Sequence, residues 1–341
     1  MRILIYSRAF LPHIGGLEIN VAHLAEELQK HDCEITVATV TPGEGPDRFS
    51  YRVLRQPSPL QLLREVRACD VYHQPNLSLR GLWPLLLVRR PWVVSHHSWY
   101  AQSNGHVNWR DRLKKRLVRY ADGSIAVSQA IADALLGPST VVPNAYRDDL
   151  FRRLPNVPRD QDLLFVGRLV SDKGVDVLLD ALALLRRDGL APSLTIVGIG
   201  PEESRLRQHT SRLGLTEQVT FAGLKQGQEL VETYNRYRIA VVPSRYNEPF
   251  GIVALEAIAC GCVVVGSAGG GLPEAIGPCG LTFPNGDAEA LAARLAELLR
   301  HPARIGALLA GAEDHLASHR SPVVFSRYFE VLRRAGERRA T

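Results

Sequence analysis

The stretch Asp162-Leu163-Leu164-Phe165-Val166, then Gly167-Arg168-Leu169-Val170-Ser171-Asp172-Lys173-Gly174, then Val175-Asp176-Val177-Leu178-Leu179-Asp180-Ala181-Leu182-Ala183-Leu184-Leu185-Arg186-Arg187 reads as one short apolar strand, one loop and one longer helix. The scheme recurs downstream. Strands are expected at 193–197, 219–222, 239–242 and 263–266. Helices are expected at 202–213, 228–237 and 252–260, with two more at 288–300 and 302–317. It recurs upstream too, with strands at 2–6, 34–40, 71–73, 92–96, 124–127 and 140–142. Between the first two, Val21, Leu24, Ala25 and Leu28 form one apolar face at helical spacing over 17–29. Short strands alternating with helices argue for parallel sheets covered on both sides.

The chain has 341 residues, of which 45% are hydrophobic, enough for two ordinary domains with separate cores. Residues 143–159 break the alternation with Pro143, Asn144, Pro155, Asn156 and Pro158. The linker is placed there, giving an α/β fold of two doubly wound, Rossmann-like domains, 1–150 and 160–320. Two such domains would face each other across a cleft with the carboxyl ends of their sheets, where such sheets take ligands.

The formal net charge is +6, which suits a phosphate-bearing partner. No helix-turn-helix, RNP-like or zinc-finger pattern is present, so no nucleic-acid partner is expected. The five cysteines are Cys33, Cys69, Cys260, Cys262 and Cys279, with no Cys-x-x-Cys, and read as free thiols in a reducing cytosol. The first apolar run is too short for a signal peptide. The longest apolar stretch, 82–94, is broken by Arg89, Arg90 and Pro91, so no membrane span is expected.

The strongest chemical feature is Asn247-Glu248-Pro249-Phe250-Gly251-Ile252-Val253-Ala254-Leu255-Glu256-Ala257, directly after the strand at 239–242. Pro249 suits the first turn of a helix, so a helix is expected to start here and run to Cys260, closed by Gly261. The amides of Phe250, Gly251 and Ile252 would then offer free N–H groups to phosphate or sugar oxygens.

This pattern resembles the signature of the retaining glycosyltransferases of family 4, which have the GT-B fold: a Glu, Pro-Phe-Gly, and a second Glu eight positions on. Five further motifs extend the resemblance over nearly the whole chain. Phe165-Val166-Gly167-Arg168-Leu169, with Lys173-Gly174, is similar to the family's loop in which Arg and Lys clasp the donor diphosphate. Two fixed cations there would stabilise the charge that develops on a leaving nucleoside diphosphate, without a metal. Pro12-His13-Ile14-Gly15-Gly16-Leu17-Glu18 is similar to the family's glycine-rich loop, where Gly15 and Gly16 let the backbone approach donor phosphates and acceptor. In Val93-Val94-Ser95-His96-His97-Ser98, His97 is the better match to a histidine near the transferred sugar, and His96 would face the core. Phe221-Ala222-Gly223-Leu224 resembles the segment beside the base, which would place Leu224 in the nucleobase pocket, and Gly270-Gly271-Leu272-Pro273-Glu274 resembles a loop bordering the donor site.

By this resemblance Glu256 would accept hydrogen bonds from the ribose hydroxyls and Glu248 would contact the donor sugar. The implied catalytic set is His97, Glu248, Arg168 and Lys173. The implied donor-binding set adds Gly15, Gly16, Leu224, Phe250, Gly251, Ile252 and Glu256. The linker Pro143-Asn144-Ala145-Tyr146 departs from the family's usual Asn-Gly.

The resemblance therefore implies a metal-independent hexosyltransferase without a cofactor. It would move sugar from a nucleoside-diphosphate sugar to a glycan or lipid-linked acceptor in bacterial polysaccharide or cell-envelope glycan synthesis. A nucleotide-sugar epimerase on the same fold, and a non-catalytic binding protein, are the competing readings. Gly198-Ile199-Gly200 lacks the third glycine of a dinucleotide fingerprint, and Asp160-Gln161-Asp162 precedes a strand and is no metal site. Gly-x-Ser-x-Gly and Walker patterns are missing, which removes hydrolase and P-loop readings.

Residues 109–120 hold Trp109, Leu113, Leu117 and Val118 as an apolar stripe, with Arg110, Arg112, Lys114, Lys115, Arg116 and Arg119 around it. Two readings stand: a packed helix with a solvated basic face, or contact with anionic lipid headgroups. The second makes the protein peripheral on the cytoplasmic face of the inner membrane; either leaves it cytoplasmic. The closing stretch 321–338, with Val324, Tyr328 and Leu332 on one face, is expected by resemblance to cross back to the first domain.

Overall fold

The computed structural model describes residues 1–13, 15–100 and 107–338, so Ile14 of the glycine-rich motif lies outside the described residues. The chain divides into two compact units, Met1–Ala145 with Ser321–Thr341, and Tyr146–Arg320.

The first unit carries seven strands: β1 (Arg2–Ser7), β2 (Glu34–Thr39), β3 (Arg52–Arg55), β4 (Val71–Pro75), β5 (Trp92–His96), β6 (Gly123–Ala126) and β7 (Thr140–Val141). They lie in the order β3-β2-β1-β4-β5-β6-β7, all parallel. The order reverses between β1 and β4, which makes the carboxyl ends of those strands the switch point where such sheets bind ligands. Composition follows this geometry. The strand bodies are apolar and buried, whereas their carboxyl ends place Ser7, Thr39, His73, Gln74, Ser95 and His96 in full burial.

One face of this sheet is covered by the helix Gly16–Gln29, whose Val21, Leu24, Ala25 and Leu28 are buried as their spacing predicts. Beside it packs the last helix, Ser321–Glu337. Its Val324, Phe325, Tyr328, Leu332 and Ala335 enter the same core. Each large apolar side chain so buried contributes about 1.5–3 kcal/mol, so this returning helix is integral to the first unit.

Four elements of this unit escaped the sequence reading, one of them the five-residue helix Gln129–Asp133. β3 is a four-residue edge strand with an arginine at each end, so it shows no apolar alternation. The helices Pro59–Ala68 and Leu79–Leu87 are short, and Pro84 sits inside the second. The basic segment is a helix, Trp109–Leu117, capped by Asn108 and followed by a 3-10 turn, Val118–Tyr120. Its apolar stripe is not packed as a stripe: Val118 is buried and Leu117 touches the core, but Trp109 is 68% exposed. Only the end of this short helix reaches the sheet.

The second unit has six parallel strands: β8 (Gln161–Val166), β9 (Leu194–Val197), β10 (Val219–Gly223), β11 (Tyr237–Val242), β12 (Val263–Ser267) and β13 (Gly280–Phe283), ordered β10-β9-β8-β11-β12-β13. The reversal falls between β8 and β11. β13 was not anticipated; it is a four-residue edge strand that opens on Gly280. The helices Val175–Arg187 and Ala288–Arg300 stand where expected and pack on each other in one apolar core. The single helix expected at 302–317 is two, Ala303–Leu309 and Ala312–Ala317, separated at Gly311, a poor helix-interior residue.

Residues 146–159 belong to the second unit because they are tied to it. Asn235 accepts from Leu154 N at 2.7 Å and donates to Arg152 O at 3.0 Å, and Phe151 meets Tyr234 edge to face. The Arg159 guanidinium donates to the carbonyls of Tyr237 and Cys260. All five cysteines are buried and unpaired. No helix of the described residues is long and apolar enough to cross a membrane.

Candidate active site

At the switch point of the second unit two loops meet, one after β8 and one after β11. The β8 loop ends in a 3-10 turn, Ser171–Lys173, and Gly174 at φ +66°. A Cβ on Gly174 would overlap the Pro243 carbonyl, so the close approach of the two loops requires glycine there. Arg245 N donates to Asp172 O at 2.9 Å, and the Arg245 guanidinium reaches Asp176 at 3.0 Å.

These ties set Lys173 against Glu248. Lys173 Nζ donates to Glu248 Oε1 at 2.6 Å, Ser244 Oγ donates to the same oxygen at 2.6 Å, and Tyr246 OH donates to Oε2 at 2.6 Å. Glu248 is 5% exposed. Burial disfavours its charge, but Lys173 and the three hydrogen bonds outweigh that and hold the carboxyl below its ordinary value. Burial, and then the Glu248 charge, push the Tyr246 phenol up, so it stays a donor. Lys173 Nζ also lies 5.4 Å from the Tyr246 ring centroid. Arg168 is exposed on the same loop, and its charge acts on Tyr246.

The chain at Glu248 is extended rather than helical. Glu248 bridges Gly270, and Gly271 N donates to Glu248 O at 2.8 Å. The helix therefore starts at Ile252, three residues after Pro249, with Gly251 at φ +108° in front of it, and runs to Ala259. The expected start at Pro249 is corrected by this backbone bridge. Gly261 closes the helix at φ +85° as expected. Ile252 and Val253 open the helix, so their N–H groups have no acceptor within it. The Phe250 side chain is 1% exposed and lies against the His319 ring, so any part it plays with a ligand runs through its backbone. Glu256 is half-buried, with the Tyr234 hydroxyl 3.5 Å from its Oε2; burial raises its carboxyl to about 7. Leu224, just past β10, is 54% exposed.

In the first unit, His97 follows β5. Its N donates to Asn76 Oδ1 at 2.8 Å and its Nε2 lies 2.9 Å from Ser95 Oγ. Ser95 Oγ is also 3.0 Å from His73 Nε2, so one hydroxyl joins two imidazoles. Burial lowers His97 to about 4, against the opposing effect of its bond to Asn144. His96 ends β5 fully buried, between Tyr100 OH at 2.7 Å and Ser124 Oγ at 3.1 Å. Gly15 caps the helix Gly16–Gln29 in extended conformation, without a side-chain cap. Glu18 is buried and pairs with His13 Nδ1 at 3.1 Å.

Sequence reasoning thus named Lys173 and Glu248, which meet, and Arg168 and Glu256, which lie on the flanking loop and helix of the same unit. It missed Ser244, Tyr246, Asp172, Arg245 and Asp176, which hold the pair, and His73, Ser95, Asn76 and Asn144, which hold His97. The only available signal was position: Ser244-Arg245-Tyr246 lies between a strand end and Glu248.

Comparison with known proteins bears on the family and the fold. Residues 147–307 match the model of the glycosyl transferases group 1, and residues 14–150 that of glycosyltransferase family 4. The chain is 29% identical over 382 residues to a glycogen synthase of Mycobacterium tuberculosis (strain H37Rv), covering 93% of this chain and 91% of that one. It is 38% identical over 199 residues to a D-inositol 3-phosphate glycosyltransferase of Stackebrandtia nassauensis, covering 54% of this chain and 45% of that one. Its structure is similar to that of the sucrose-phosphate synthase of Thermosynechococcus elongatus, with TM-score 0.82 and 25% identity over 97% and 98% of the two chains. HepE of Anabaena, solved with UDP and glucose, shares the fold at TM-score 0.79 and 21% identity over 97% and 98%.

Fold and relatives define a sugar-transferring enzyme. The chain is a glycosyltransferase of the GT-B fold.

Proposed function

We propose that the protein is a retaining, metal-independent hexosyltransferase. It moves a sugar from a nucleoside-diphosphate sugar to a glycan or lipid-linked acceptor in bacterial polysaccharide or cell-envelope glycan synthesis. The observation that carries this reading is the Lys173–Glu248 pair, 2.6 Å apart at the β8/β11 switch point, with Arg168 on the same loop. In the proposed reaction the bond from the anomeric carbon to the phosphate oxygen breaks. Negative charge grows on the diphosphate, and Lys173, already held by Glu248, stabilises it together with Arg168 of the same loop. The acceptor hydroxyl attacks the face the phosphate leaves, and a phosphate oxygen takes its proton. No metal or cofactor has a role in this scheme.

Glu248, ionised at neutral pH, orients Lys173 through their hydrogen bond and receives hydroxyls of the donor sugar. Glu256 receives the ribose hydroxyls, Leu224 borders the base, and the backbone at Phe250, Gly251 and Ile252 faces phosphate or sugar oxygens. In the first unit Gly15 and Gly16 offer backbone to the ligands, and His97 serves as a neutral hydrogen-bonding ring near the sugar. The relatives are named for transfer rather than epimerisation, and the complexes of HepE with UDP and glucose and with UDP-glucose belong to that protein, at 21% and 20% identity. The donor class proposed for this chain therefore rests on its own two cations.

A peripheral membrane location is part of the proposal. Trp109 and Tyr120 are 68% and 77% exposed amid Arg110, Arg112, Lys115, Arg116 and Arg119. Basic groups beside an anionic surface contribute about 1 kcal/mol each.

The test is a donor panel. Wild type and Lys173→Ala are incubated with UDP-, GDP- and ADP-sugars and candidate acceptors without metal. Nucleoside diphosphate release is measured, and the anomeric configuration of the product is read by proton NMR. Release from one donor, lost in the variant, with retained configuration supports the reading. An inverted product or equal release by the variant overturns it.

A further inference from the structure

We propose that Arg55 is a positioning residue that fixes the loop between β1 and the helix Gly16–Gln29, and through it the acceptor end of the site; the second clause rests on the functional reading above. Arg55 ends β3, the edge strand. Its side chain is only 15% exposed and runs across the carboxyl ends of the neighbouring strands. Nη1 donates to Leu11 O at 2.9 Å, in the loop after β1. It is shared with Pro42 O at 3.2 Å and Thr41 O at 3.3 Å, in the loop after β2. Nε lies 3.0 and 3.1 Å from the two Asp47 carboxylate oxygens, and Nη2 donates to Asp47 Oδ1 at 2.6 Å.

Only a guanidinium meets this demand. It presents five donors in a rigid plane, so one edge can pair with a carboxylate while another donor serves carbonyls. The surroundings are shaped for it: a Cβ on Gly43 would come within 3.0 Å of Arg55 Cδ. The carbonyl groups it holds belong to irregular backbone that no strand satisfies, half-buried at Leu11 and Thr41 and exposed at Pro42.

What it holds is the loop at the switch point. Leu11 lies four residues after β1, next to the β1/β4 reversal. Phe10 N donates to Thr41 Oγ1 at 3.1 Å and His13 N to Phe10 O at 3.2 Å. From there the chain leads to Gly15 and the opening of a 14-residue helix. The loop carries the backbone offered to ligands; Pro12 restricts one φ of it, but it forms no helix or strand of its own. Arg55 supplies the rigidity from a strand that touches no ligand. Placing a ligand depends on such fixed geometry, and a shift of about 1 Å is enough to cost a large factor in rate.

The experiment compares wild type, Arg55→Met with Asp47→Asn (so that no carboxylate is stranded), Arg55→Lys, and Arg52→Met. Arg52 lies on the same strand but binds Glu65 at 2.8 Å, away from the loops, and serves as the control. Hydrogen exchange followed by mass spectrometry should show segments 8–13 and 41–47 exchanging about tenfold faster in both Arg55 variants, with β1 and β2 unchanged. The KM for acceptor should rise about tenfold, the KM for donor should rise with it because Gly15 and Gly16 are read as approaching the donor phosphates too, and Arg52→Met should match wild type in both readouts. If the double variant fails to fold, Arg55→Lys, which keeps the charge but not the planar fork, carries the comparison. Unchanged exchange in the loop overturns the clamp. Faster exchange with an unchanged acceptor KM overturns the link to the acceptor. Absence of transfer by wild type itself defeats the functional reading and leaves the clamp to be judged on exchange alone.

Discussion

Lys173 Nζ lies 2.6 Å from Glu248 Oε1, with the carboxylate 5% exposed and the ammonium partly open to solvent. The pair joins the end of one strand's loop to the start of another's. It makes each partner's charge a condition for the other's.

Replacing Lys173 with Met should therefore have two separable effects. Glu248 is left buried without its cation, which costs about 3–5 kcal/mol and appears as a lower Tm. Loss of the cation facing the diphosphate should lower turnover about 10²–10³-fold. Adding Glu248→Gln should recover part of the Tm and none of the turnover. A double variant no more stable than Lys173→Met would contradict the pairing.

Glu256 gives a pH dependence. Its carboxyl is raised to about 7 by burial, so it is largely protonated below that pH and a full acceptor only above it. Donor KM should fall as pH rises from 6 to 8, and Glu256→Gln should flatten the profile. The stability effect has the opposite sense. With a folded value above the unfolded one, the contribution is complete below about 4.5 and is lost as pH rises through about 7. Glu256→Gln should remove that slope from Tm plotted against pH.

His97, lowered to about 4, stays neutral through the working range. Its imidazole CH resonances should not titrate between pH 8 and pH 5.5. His73 and His96 are lowered to about 3, also mainly by burial. All three have folded values below the unfolded one of about 6.5. The stability they contribute is present above pH 6.5 and is lost as pH falls towards their folded values. The first unit should thus be acid-labile, as followed by the fluorescence of Trp92, which lies in its core.

Gly174 and Gly189 both have positive φ, +66° and +76°, but only Gly174 faces another backbone. Alanine at Gly189 should cost about 1–2 kcal/mol from conformation alone. Alanine at Gly174 should cost more and should also lower turnover, because the Pro243 carbonyl must move and Lys173 moves with it. Equal Tm losses with full activity in both variants would remove the packing argument.

On vesicles containing anionic lipid, Trp109 emission should shift to the blue, and the shift should vanish with raised salt. Arg110, Arg112 and Lys115 replaced together by Gln should bind about 10²-fold more weakly, at about 1 kcal/mol per charge. Equal binding to neutral vesicles would argue against the electrostatic reading.

Much of the fold was legible because it is local. Helices such as Val175–Arg187 announce themselves by apolar spacing, and central strands such as β5 and β8 by unbroken apolar runs that both faces of a parallel sheet demand. β3 and β13 were not legible: an edge strand is half solvated, so its composition need not differ from a loop's. The exposure of Trp109 was not legible for a related reason, since helical spacing shows which residues share a face and not whether anything covers it.

The sequence by itself determined the two alternating α/β halves, the last helix with its Val324, Tyr328 and Leu332 face, and the residue types of the candidate site. Tertiary structure alone decided that Lys173 meets Glu248 across 75 positions, that Glu248 is extended against Gly270 rather than helical, and that Arg55 reaches back 44 positions to Leu11. The physical reason is the same in each case. Periodicity and turn chemistry act over one or two turns of chain. A buried charge or carbonyl takes whichever partner the crossing of the strands brings within about 3 Å.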